Sequence, residues 1–147
     1  MLGDIFNPKC IKLNLESTTK DEAFEELIET IAENHADFDR REMLEAVTLR
    51  ESKMNTIIRP GIALPHGYSR SVSGIVGALG FSRTGIEYDE KDRNPVHLFL
   101  MLLMDESSRE RNLQVLSNLW ELVDASVFSK IREMRSPQEV YSLLSLY

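Results

Sequence analysis

The chain has 147 residues, 42% of them hydrophobic and 28% charged, with a formal net charge of −7. This length and balance suit one globular domain, residues 1–147, able to bury roughly 68–70% of the surface its unfolded form exposes, and exclude a disordered or fibrous chain. The acidic charge, without any basic stripe, excludes the phosphate-neutralising electrostatics of nucleic-acid binding and disfavours docking on an anionic membrane.

The first residues, MLGDIFNPKC, lack both the basic and the apolar region of a signal peptide. The longest apolar run, Val96 to Met104, is broken by His97 and is too short to span a bilayer. Cys10 is the single cysteine, so neither an internal disulfide nor a cysteine metal site is expected, and a lone thiol fits a reducing compartment. The expectation is a cytoplasmic chain with no membrane insertion.

Cys10 to Leu15 alternates apolar and polar residues, the mark of a half-buried strand. Thr19 with Glu22 forms a capping box that opens a helix carrying Phe24, Leu27, Ile28 and Ile31 on one face. Asp39 with Glu42 opens a second helix in the same way, carrying Met43, Leu44 and Val47 and running to about Arg50 or Glu51. Three strand-like runs follow: Gly61 to Leu64, Gly74 to Phe81, and Val96 to Leu103. The last is apolar on both faces, as expected of a strand covered on both sides. Arg83 to Asn94, between the last two, is polar and turn-prone. Ser107 with Glu110 caps a third long helix with apolar Leu113, Leu116, Leu119, Trp120 and Val123. Ser136-Pro137, followed by Glu139, starts a final helix. This alternation of elements is that of an α/β sandwich.

His35, His66 and His97 lie about thirty residues apart, unlike the i,i+4 pair of a helical zinc site, so no metal is expected. No cofactor is expected either. His35 reads as a surface residue and His97 as a hydrogen-bonded core or strand-end residue. His66 follows Gly61-Ile62-Ala63-Leu64-Pro65 and precedes Gly67. A short apolar strand there ends on a rigid proline and delivers the imidazole where the chain turns, while Gly67 would allow close approach by a partner's backbone. Read alone, the segment favours a plain turn over a presented nucleophile.

The stretch Arg50-Glu51, Asn55-Thr56 and Pro60-Gly61-Ile62-Ala63-Leu64-Pro65-His66 resembles the signature of EIIA domains of the sugar phosphotransferase system, of the fructose/mannitol/nitrogen class. The resemblance continues through Pro95-Val96-His97-Leu98-Phe99-Leu100 and Asn112-Leu113-Gln114-Val115-Leu116. It implies a mixed β-sheet sandwiched between α-helices, and a histidine phosphocarrier. His66 would accept a phosphoryl group from phospho-HPr or a nitrogen-branch HPr analogue and pass it to an EIIB partner. The alternative is a regulatory chain that controls a transporter or enzyme as its target protein.

On this resemblance Arg50 is the candidate that stabilises charge on the transferring phosphoryl group, its fork matching phosphate oxygens. Without it, Arg50 is an arginine favoured at a helix end by the dipole. Thr56 could offer a hydroxyl to the same pocket or serve as a loop or cap residue. The family's second histidine, at the start of the third helix, falls here on Asn112 by the register of Leu113, Leu116 and Leu119, with Gln114 the weaker match; asparagine can orient His66 by hydrogen bonding but cannot carry a positive charge. A second departure is Ile57-Ile58-Arg59-Pro60, bulky and cationic where many members have glycines.

Overall fold

A computed structural model of the chain describes residues 2–147. Its centre is β6 (Val96–Met104), whose register divides its apolar residues between the two faces of a sheet. Leu98, Leu100, Leu102 and Met104 join one core cluster, and Phe99, Met101 and Leu103 join the other. That period-2 division explains why the run reads as apolar throughout.

The sheet is mixed and six-stranded, in the order β1 (Ile11–Lys12), β5 (Ile75–Ile86), β6, β3 (Ile62–Ala63), β2 (Ile57–Arg59), with β4 (His66–Tyr68) also on β6. β5 runs antiparallel to β6, β1 runs parallel to β5, and β3 and β4 run parallel to β6. Helices α2 (Lys20–Asn34) and α3 (Arg40–Lys53) bury Phe24, Leu27, Ile28, Ile31, Met43 and Val47 against one face. The opposite face is covered by α1 (Leu2–Ile5), α4 (Arg109–Leu122), α5 (Ala125–Glu133) and α6 (Pro137–Leu144), through residues such as Leu119, Ile131 and Val140. The α/β sandwich expected from the sequence is therefore present.

Several local readings need correction. The first strand shrinks to two residues, because Asn7 caps a 3-10 turn over Pro8–Cys10 just before it. The α2 capping box forms as read. At α3 only half of it does: Asp39 accepts from the Glu42 backbone, but the Glu42 carboxylate instead binds Ser69, Arg70 and Ser71. Strand β5 continues past Phe81 to Ile86, with a register shift between those residues. Ser107 lies in a 3-10 turn capped by Asp105, and Ser108 at the start of α4 makes no side-chain cap. Helices α1 and α5 were not anticipated; α5 is opened by Asp124, which accepts from the Val127 backbone. The α6 cap by Ser136 and Pro137 is as read.

Candidate functional site at His66

β3 and β4 form one interrupted strand along the edge of β6. Ile62 aligns with Leu98, Ala63 with Phe99 and His66 with Leu102, so the register holds across Leu64-Pro65. The Pro65 carbonyl accepts from the Leu102 backbone at 3.0 Å, so the proline, which has no N–H of its own, costs the ladder little here. His66 thus begins a strand on a continuing ladder, whereas the sequence placed it at a turn. The turn lies earlier, at Pro60-Gly61, where φ of +84° demands glycine.

The same register sets the faces. His66 shares the face of Leu102, toward α4, and Gly67 shares that of Leu103, toward α3. A Cβ on Gly67 would stand 2.7 Å from the Ala46 backbone carbon and 2.9 Å from the Val47 nitrogen. Gly67 therefore serves an approach within the fold, between β4 and the backbone of α3, and not an approach by a partner protein. The close contact brings the end of α3, with Arg50, beside the start of β4, with His66.

His66 and Arg50 line one cavity of about 440 Å³ together with Thr56, Leu116 and Trp120. The His66 Nδ1 lies 2.9 Å from the Leu64 carbonyl oxygen. A carbonyl can only accept, so Nδ1 carries the ring proton and Nε2 keeps a lone pair. Burial holds the His66 pKa below the ordinary histidine value; the Leu64 bond opposes this, Arg50 adds to it and Glu51 opposes it. The ring is therefore neutral and nucleophilic at neutral pH.

Arg50 sits in the last turn of α3 and donates through Nη1 to the Met54 carbonyl at 2.8 Å. One donor of the fork thus closes the end of the helix, and the others make no hydrogen bond to the described residues. Beside it, Glu51 is only 8% exposed. Its carboxylate pairs with Lys20 Nζ at 3.1 Å and accepts from the Thr56 backbone at 3.1 Å and the Thr56 hydroxyl at 2.6 Å. Because Thr56 gives its one hydroxyl proton to Glu51, the Tyr88 hydroxyl, 3.0 Å away, is the donor to Thr56. Burial and the nearby Glu51 charge push the Tyr88 pKa up, which keeps that proton in place. Thr56 lines the cavity, but its hydroxyl is committed to a carboxylate.

Asn112 is 1% exposed in the first turn of α4, where Nδ2 donates to the Asp105 carbonyl at 2.7 Å and Oδ1 has no partner. It is not among the residues lining the cavity. The structure therefore gathers His66, Arg50 and Thr56 in one place and leaves Asn112 outside it. His97 is bonded through Nδ1 to the Ser82 carbonyl at 2.7 Å, and His35 caps α2 and stacks on Phe38. Sequence reasoning missed the Glu51–Lys20–Tyr88 network and the cavity role of Trp120. The adjacency of Glu51 to Arg50 was the one available signal. No described helix is long and apolar enough to cross a membrane.

Residues 4–146 match the family described as phosphoenolpyruvate-dependent sugar phosphotransferase system, EIIA 2. The chain is 33% identical over 122 residues to the fructose-specific EIIABC component of Bacillus subtilis, covering 83% of this chain but only 19% of that protein. Its fold matches the crystal structure of nitrogen regulatory protein IIA-Ntr from Neisseria meningitidis with a TM-score of 0.87 and 28% identity, over 97% of each chain. It also matches, at a TM-score of 0.78 and 20% identity, the complex of enzyme IIA-mannitol with phosphorylated enzyme IIB-mannitol from Escherichia coli, over 97% of this chain and 99% of that one; this likeness speaks to fold alone. The match across residues 4–146 makes the chain a member of the EIIA 2 family of the sugar phosphotransferase system.

Proposed function

We propose that the chain is a phosphocarrier that receives a phosphoryl group on Nε2 of His66 and hands it to a second protein. The observation that carries this reading is the Nδ1 bond to the Leu64 carbonyl, which leaves Nε2 unprotonated in a cavity shared with Arg50. The donor is phosphorylated HPr or a nitrogen-branch analogue, and the acceptor is an EIIB protein or domain.

In the forward step the Nε2 lone pair attacks phosphorus. The new N–P bond forms as the donor's N–P bond breaks, and that electron pair returns to the donor imidazole. Charge spreads over the three equatorial oxygens, so catalysis rests on positioning and on cationic hydrogen-bond donors. Arg50 supplies those donors. Glu51, paired to Lys20, holds Thr56 and the start of β2 in place, so Thr56 acts as a support and not as a phosphate ligand. Asn112 supports the first turn of α4 through Asp105. Met54 and Trp120, 69% and 49% exposed, line the cavity and give it apolar surface suited to a protein partner.

A regulatory reading, in which the phosphorylation state of His66 controls a target protein, draws on the full-length likeness to a nitrogen regulatory protein. The two readings share the first step and part at the second. Incubation with enzyme I, HPr and labelled phosphoenolpyruvate should label the wild type and leave His66→Ala unlabelled. Discharge of that label onto an EIIB supports transfer; labelling without discharge onto any EIIB favours regulation.

A further inference from the structure

Arg59, the last residue of β2, takes no part in the chemistry above. Its guanidinium reaches across to α4, where Nε donates to the Val123 carbonyl at 2.7 Å and Nη2 to the Trp120 carbonyl at 3.2 Å. The same group lies 5.8 Å from the centre of the Trp120 ring. The last carbonyls of a helix have no intrahelical donors and carry partial negative charge, so a planar cationic fork suits them.

This tether has a position that matters. Ile57 and Ile58, on the same strand as Arg59, line the His66 cavity on the β2 side, and Trp120 lines it on the α4 side. Trp120 is 49% exposed, so burial alone does not hold it. One side chain thus connects the two walls, gripping both the backbone and the ring of the residue opposite.

We propose that Arg59 is a positioning residue that sets the width of the His66 cavity by tying the β2 wall to Trp120, and so determines how a phosphorylated carrier protein seats on His66. This rests on the reading of His66 as phosphoryl acceptor. Arg59 acts on docking and not on the reacting atoms, so its removal changes KM and spares kcat. Lysine keeps the charge but cannot bridge two carbonyls with a planar fork, so Arg59→Lys falls between wild type and Arg59→Gln.

The test pairs two readouts on the whole chain. Trp120 is the only tryptophan, so its fluorescence reports the tether without any phosphoryl donor: Arg59→Gln should raise acrylamide quenching, with Arg59→Lys intermediate. Transfer from HPr phosphorylated by enzyme I should then show KM raised about tenfold in Arg59→Gln, the scale of one lost docking anchor, with kcat within about twofold. In a Trp120→Ala background, Arg59→Gln should keep part of its effect on KM, because the bonds to the Val123 and Trp120 carbonyls survive loss of the ring. Unchanged quenching overturns the tether. Changed quenching with unchanged KM, or a loss confined to kcat, overturns the docking role. A wild type that takes no label overturns the His66 reading and the docking role together, while a labelled wild type separates the two.

Discussion

The Nδ1 proton of His66 is held by the carbonyl oxygen of Leu64, two residues back along the chain, at 2.9 Å. The imidazole is thereby fixed as one tautomer by its own strand, before any partner arrives. The lone pair on Nε2 then depends on whether the ring takes a second proton, which makes pH the first test.

Burial keeps the His66 pKa below the ordinary value of 6.5, with Arg50 acting in the same direction. Phosphoryl acceptance should hold at neutral pH and decline with a midpoint below the ordinary histidine value, where Nε2 becomes protonated. Below pH 6.5 the unfolded chain binds more protons at this site than the folded one, so the contribution of His66 to stability falls as pH falls. An NMR titration of the His66 ring checks this; a midpoint above 6.5 contradicts it.

Arg50→Lys retains charge and loses the planar fork. Transfer to His66 should slow roughly 10- to 100-fold, in line with the loss of an oriented donor to a developing oxyanion. Stability should change by about 1 kcal/mol or less, since only the Met54 carbonyl bond is disturbed. Rapid-quench labelling beside a denaturation curve separates the two effects, and an unchanged rate removes Arg50 from the mechanism.

Thr56→Val removes the hydroxyl donor to a buried carboxylate while keeping side-chain shape. The expected cost is about 1–3 kcal/mol of folding stability, the penalty for a buried acceptor left unpaired. The transfer rate should fall less than in Arg50→Lys. A large rate loss with no stability loss would show the Thr56 hydroxyl serving the phosphate directly.

Gly67→Ala would place a methyl 2.7 Å from the Ala46 backbone carbon, which cannot swing aside as a side chain end could. The substitution should destabilise the chain by about 1–3 kcal/mol. It should also slow labelling, because it pushes α3 and Arg50 away from β4 and His66. Urea denaturation and labelling of the residual folded protein measure both; wild-type stability would mean that the helix and strand are not packed this closely.

The sequence made the centre of this fold easy to read and its edges hard. β6 and the helices α2 and α3 stood out because their apolar periodicity coincides with real burial. α4 misled, since Leu113 and Trp120 fit a buried stripe yet stand 59% and 49% exposed, Trp120 in the wall of a cavity. The far half of β5 was hidden because Arg83 and Thr84 are exposed there and carry no apolar signal. α5 was hidden behind the long helix before it. In the site, His66 and Arg50 were legible because each sits in a contiguous motif. The partners of Glu51, namely Lys20 and Thr56 with Tyr88 behind it, come from α2, the loop before β2 and the segment after β5, and only folding brings them together. The grip of Arg59 on α4 spans 64 positions to Val123 and was invisible for the same reason.

The central claim is that Nε2 of His66 carries the phosphoryl group, and heteronuclear NMR of the phosphorylated chain tests it most directly. The account predicts a single phosphohistidine, with phosphorus coupled to Nε2 of His66 and the Nδ1 proton retained. Phosphorus on Nδ1, or on His35 or His97, or label that persists in His66→Ala, would contradict it.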